Sequence, residues 1–160
     1  MNNGNVTDFI EHTSNLANGF ADSSLSDEDI VTYFEDHLDN DARFRSTIIY
    51  KVPGYDDQEK SLVLDKYDFI ESIQSGADTI NRYENVITVE DIEIGDNKKS
   101  AFVKTSGYEF GEMPVPTESG TIEMVPVEGT SECAQTLKLN GGVIQMYSAI
   151  CQTTINILTY

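Results

Sequence analysis

Two β-rich runs meet across a glycine turn near the C-terminus, and this hairpin constrains the chain more than any other segment. Thr130 to Leu139 reads TSECAQTLKL, Asn140-Gly141-Gly142 follows, and Val143 to Leu158 reads VIQMYSAICQTTINIL. Glycine reaches positive φ without a Cβ clash, so Asn-Gly-Gly between β-branched and apolar runs predicts an antiparallel hairpin. The two cysteines, Cys133 and Cys151, lie one on each arm with their midpoint at Gly142. A ladder symmetric about Gly142 sets them directly opposite, with Cβ atoms about 4.5–5.5 Å apart, close to what a disulfide requires. Two states follow. A closed disulfide would add roughly 3 kcal/mol in the chain-entropy view and favour a periplasmic or secreted home. Two buried thiols would fit a cytoplasmic protein.

The remaining bounds are broad. A chain of 160 residues fits one domain, expected over residues 6–160 behind a loose start at 1–5. The opening MNNGNVTDFI has neither the basic start nor the apolar middle of a signal peptide, so an exported form would have lost its leader before this numbering. No apolar run approaches the ~20 residues that a spanning helix needs. With 28 acidic against 10 basic residues and a net charge of −18, the chain lacks the clustered Lys and Arg that replace counterions on nucleic acid. An anionic membrane surface is disfavoured on the same ground. The charge reads first as solubility.

Ahead of the hairpin the signals are helical, then β. Val6 to Phe20 places Phe9, Ile10, Leu16, Ala17 and Phe20 on a helical face, weakened by its Ser, Thr and Asn content. Ser26 is the expected N-cap of a second helix, with Asp27, Glu28 and Asp29 at the positive end of its dipole. Ile30, Tyr33, Phe34 and His37 recur along it until Leu38, where Asp39-Asn40-Asp41 should break it. Phe44 to Val52 reads as a strand ended by Pro53-Gly54 and an acidic loop. A third helix is expected from about Asp65 to Ser75, capped by Gly76. Glu84 to Ile94 and Ser100 to Phe110 should pair across Gly95-Asp96-Asn97. Glu112 to Ser119, with two prolines, reads as a loop or irregular edge. Thr121 to Val127 should start a strand that breaks or bulges at Gly129. Helices early and hairpins late make an α+β fold with the helices on one face of a curved sheet.

That order is carried by SDEDIVTYFEDHLDNDARFRS, LDKYDFIESIQSG, VEDIEIGDNKKSAFVKTS and CAQTLKLNGGVIQMYSAI. It resembles the nuclear transport factor 2-like (NTF2-like) superfamily, which holds ketosteroid isomerases and SnoaL-like polyketide cyclases, and the match runs from Val6 to Ile157. The resemblance implies a cystatin-like cone: three helices of the N-terminal half packed on a strongly curved, mostly antiparallel sheet that encloses a pocket. Members use that pocket for acid–base catalysis, for ligand binding, or only for assembly, so the fold does not decide the function.

The isomerase pattern puts a general base on the first strand after the second helix, where this chain has Ser46 and Thr47. It puts a protonated acid five residues before the Asn-Gly of the last hairpin, where this chain has Gln135. Neither position carries a carboxyl group, although Gln135 still donates hydrogen bonds. An acid–base pair of His37 with Asp36, aided by Tyr33 and Tyr50, would suit a lyase- or isomerase-type enzyme of SnoaL-like or dehydratase-like kind. The competing role for His37 is a helix C-terminal residue favoured by the dipole. His12 reads as a surface residue. Tyr33, Tyr50, Tyr67, Gln135 and Tyr147 are the pocket-lining candidates, each tyrosine offering an apolar body and a polar tip. No zinc spacing, calcium loop, nucleophile triad, phosphate loop or dinucleotide glycine pattern occurs, so neither metal nor cofactor is expected. The residues favour a binding or interaction module over an enzyme, with a small apolar or amphipathic molecule as ligand.

Apolar residues of Val143 to Leu158 fall on both parities, Ile144, Met146 and Ile150 on one, Val143, Tyr147, Ile155 and Ile157 on the other. A strand with one wet face alternates more cleanly, so both faces look covered. A homodimer through the sheet face would supply the second cover; the segment Glu112 to Ser119 folded over it is the alternative.

Overall fold

The computed structural model describes residues 1–19, 24–74 and 80–158; Phe20, Ser75 and Gly76, given roles above, lie outside them. In chain order the elements are α1 (Asn3–Ala17), α2 (Asp27–His37), β1 (Leu38–Lys51), β2 (Gln58–Asp65), α3 (Lys66–Gln74), β3 (Asn81–Ile94), β4 (Ser100–Pro116), β5 (Ile122–Asn140) and β6 (Val143–Ile157). The strands make one sheet in the order β2-β1-β6-β5-β4-β3. All neighbours are antiparallel except β1 and β6. This is α+β, with three helices on one face of a curved, mostly antiparallel sheet, as the element order implies. α1 packs on β3, α2 on β6 and α3 on β1. Their shared core centres on Val6, Ile10, Phe34, Leu38, Val103 and Leu137, and a smaller cluster of Val125, Val127, Ile155 and Ile157 sits further along the sheet. Among the described residues no helix is long and apolar enough to cross a membrane.

The helix starts follow from their caps. At α2, Ser26 Oγ accepts from Asp29 N and Asp29 Oδ2 accepts from Ser26 N, a reciprocal box that satisfies two orphan amides. At α3 the same exchange links Asp65 and Asp68. The start at 1–5, expected to be loose, is instead helical from Asn3. Asn2 and Asn5 exchange side-chain to backbone bonds at 2.9 Å, and the terminal ammonium of Met1 donates to Lys98 O. Asparagine serves here as a cap on both sides of the box.

Three strand expectations change, each for a physical reason. Residues 58–65 form β2, which the sequence reading left without an element. This edge strand is almost wholly exposed, so it needs no apolar alternation to betray it. Glu112 to Ser119 is not a covering loop: β4 runs on to Pro116. Beyond Glu112, which pairs with Asn81, β4 has only β5 beside it, so Pro114 and Pro116 forfeit no ladder bond to β3. β5 neither breaks nor bulges at Gly129, which stays in register between Glu109 and Ile155. A Cβ there would meet Glu109 Cγ and Oε1 at 2.7 Å. The glycine makes room for a crossing side chain.

The C-terminal hairpin turns on two residues, Gly141 and Gly142, at φ +56° and +83°, with Asn140 opposite Val143. That geometry is a tighter turn than a ladder centred on Gly142, and continued unbroken it would oppose Cys133 to Ile150. It is not unbroken. Leu137 pairs with Met146 and Thr136 with Ser148, so Tyr147 is the extra residue of a bulge. The slip restores the opposition of Cys133 and Cys151, which close a disulfide with Cα atoms 4.2 Å apart. The same slip explains the apolar residues on both parities. Met146 before the bulge and Ala149, Ile155 and Ile157 after it are all buried, so the inward side changes parity at Tyr147.

Candidate functional site

Strand parity fixes which side chains point under the helices. Thr105 and Glu109 of β4, Cys133 and Gln135 of β5, and Ala149 and Cys151 of β6 share the inner face, where a cavity of about 900 Å³ lies between sheet and helices. Apolar groups form much of its wall: Phe44 and Ile48 from β1, Leu62 and Leu64 from β2, Phe69 and Ile73 from α3. Phe44 and Phe69 stack at 4.4 Å. The disulfide is part of the wall.

Two polar stations interrupt it. At the first, Gln135, only 7% exposed, donates from Nε2 to Thr105 Oγ1 at 3.5 Å, while its Oε1 is buried with no partner. At the second, Arg82 Nε donates to Glu109 Oε2 in an ion pair whose side chains are 11% and 14% exposed. Asn85, the cross-strand partner of Glu109, stands beside it with Nδ2 buried and unpartnered. Between the stations lie Gly107 and Ser131; a Cβ on Gly107 would meet Ser131 Oγ at 2.4 Å. Tyr108 also borders the cavity, and its hydroxyl pKa is raised by desolvation first and by Glu128 and Glu84 next.

Of the residues singled out from sequence, Tyr50 and Gln135 line this cavity, as do Cys133 and Cys151. His37, Tyr33 and Asp36 do not. The His37 ring stacks on Tyr33 with centroids 4.0 Å apart, and its Nδ1 donates to the Tyr33 carbonyl at 2.8 Å. Both residues border a separate, open groove between α1, α2 and the turn into β6, with His12 and Asp8. Tyr33 itself bonds Thr13 Oγ1 at 2.8 Å, and burial raises its pKa. Asp36 is exposed, and its carbonyl accepts from Gln145 Nε2. Tyr67 is 68% exposed on α3. Tyr147, the bulge residue, lies under Lys138 Nζ at 3.5 Å from its ring centroid. Arg82, Asn85, Thr105 and Glu109 were not singled out from sequence. Among the described residues no group of three His, Cys, Asp or Glu is arranged to hold a metal ion.

No family model and no curated protein matches the chain by sequence. Solved structures do. An NTF2-like protein from Cytophaga hutchinsonii aligns over 95% of this chain and 98% of its own at 17% identity and a TM-score of 0.50. The chain has the NTF2-like fold. A conserved protein from Planctomyces limnophilus aligns over 78% of this chain and 81% of its own, at 14% identity and a TM-score of 0.51. At such identities the likeness extends to the NTF2-like architecture and not to the side chains of the cavity.

Proposed function

We propose that the protein is a binding module that holds a small apolar or amphipathic molecule in the NTF2-like cavity, with Gln135 and Tyr50 among the contacts. The observation that carries this is the cavity itself: about 900 Å³, apolar-walled, with a few convergent polar groups. Ligand sites are commonly ~300–1,000 Å³ and built this way. An acid–base pair of His37 with Asp36 would have to lie inside that space to serve a lyase- or isomerase-type mechanism, and neither residue lines it. Nile red, a neutral apolar dye, tests the binding function. It should bind saturably, one per chain, and Ala149→Trp, which fills the cavity from β6, should abolish that binding while the far-ultraviolet circular dichroism persists. Undiminished binding by the filled variant, or no saturable binding by the parent, would refute the function.

We also infer an oxidising home, periplasmic or secreted, supported by the Cys133–Cys151 disulfide, and a homodimer formed through the outer sheet face. Supporting the dimer, Val63, Arg45, Ile150, Ala134 and Lys104 form one outward row across five strands. Ile150 in that row is 56% exposed, and Phe102, two residues from Lys104, is 37% exposed.

A further inference from the structure

Resting on the binding function above, we infer that the ligand is an uncharged, elongated molecule with a polar group at each end: a hydrogen-bond donor such as a hydroxyl at Gln135, and an oxygen acceptor at Asn85. Two buried amide atoms lack partners within the cavity walls, and they ask for opposite things. Gln135 Oε1 accepts; Asn85 Nδ2 donates. Leaving a buried polar atom unpaired is costly, so a molecule that meets both is selected over one that meets neither.

The stations are far apart. Gln135 reaches Thr105, Asn85 sits across from Glu109, and Thr105 and Glu109 are four residues apart on β4, about 13 Å at the usual strand rise. Only a molecule of roughly ten-atom length reaches both. Its middle passes Gly107, with Ile87 on one side and the hydroxyls of Ser131 and Thr153 on the other.

Charge at either end is excluded on electrostatic grounds. Arg82 and Glu109, the charged pair at the second station, are bonded to each other, so an added ion would be buried without a counter-ion. Of the other charged residues, Lys60 and Asp27 are exposed and belong to the mouth, and Arg45 is exposed in the outward row of the sheet.

Calorimetric titration with three ten-carbon chains tests this: decanediol with a hydroxyl at each end, decanol with one, and decanoate with a carboxylate. Decanediol should bind about tenfold more tightly than decanol, and decanoate most weakly, as expected for one further buried hydrogen bond or one uncompensated charge. Gln135→Leu and Asn85→Leu should each weaken decanediol about five- to tenfold while leaving decanol within about twofold. The series on the unaltered protein decides even if a variant fails to fold. Decanediol no tighter than decanol, decanoate tightest, or variants that weaken both alcohols alike would overturn the two-ended ligand. If Nile red still occupies the cavity, the binding function survives that outcome. If neither the chains nor the dye bind, both fall.

Discussion

Gly129 and Glu109 show how one missing side chain shapes the cavity. The Glu109 carboxylate reaches Arg82 by lying across β5 where Gly129 has no Cβ, with Ile155 Cδ1 closing the other side at 3.0 Å from where that atom would be. Gly129→Ala should therefore cost about 1–3 kcal/mol, as overpacking does. Much of that cost should vanish once the crossing chain is shortened. In a urea-unfolding cycle, Gly129→Ala combined with Glu109→Ala should be less destabilising than the two singles summed, with a coupling of about 1 kcal/mol; simple additivity would sink the account. Gln135 was singled out through the resemblance, because the isomerase pattern places a polar group five residues before the Asn-Gly of the last hairpin. Sequence reading missed Arg82 and Asn85 for an identifiable reason. β3 bulges between Arg82 and Glu84 and again between Val89 and Asp91, so its alternation slips twice and no constant parity marks the inward residues.

Elements were legible where a local device announces them. Ser26 with Asp29 marks the start of α2, and Asn-Gly-Gly marks the last turn; β2, an exposed edge, and the proline-bearing end of β4 have no such device. The caps carry a pH prediction. Asp29 is held below its ordinary pKa first by the backbone bond from Ser26, and Asp65 first by that from Asp68. A lowered folded pKa contributes stability that is present above the unfolded value of about 3.9 and is lost as pH falls through the folded one. Helical circular dichroism should therefore hold at pH 5 and weaken below about pH 4. Asp29→Asn should reduce the acid sensitivity, and an unchanged pH profile in that variant would count against the cap. The disulfide acts at the same scale. It links residues 18 apart across β5 and β6, and opening it should lower unfolding free energy by about 3 kcal/mol. Urea curves with and without reductant measure this, while alkylation of native-source protein without reductant should label neither cysteine. Two labelled thiols would remove the oxidising compartment as well.

At the scale of the whole molecule, architecture was readable from element order, but the proposal of a homodimer does not follow from strand parity. Apolar residues on both parities of β6 suggested a covered outer face, yet the bulge at Tyr147 brings Met146 and Ile155 to the same inner side, so parity alone asks for no partner. What supports the homodimer instead is the outward row with Ile150 at its centre, flanked across the strands by Arg45 and Lys104. These two are among only 10 basic residues in the chain, and they lie where two bodies of charge −18 would have to meet. Their placement would offset part of the repulsion in the contact while the acidic residues stay peripheral. Salt then has a defined effect. Screening weakens the long-range repulsion between subunits more than it weakens an apolar contact, so dimer affinity should rise from low to moderate ionic strength. Light scattering at micromolar concentration should give twice the chain mass at moderate salt, and Ile150→Asp should give the single-chain mass without loss of the Nile red site. A single-chain mass for the unaltered protein under those conditions would rule the dimer out, leaving Ile150 and Phe102 as isolated exposed side chains.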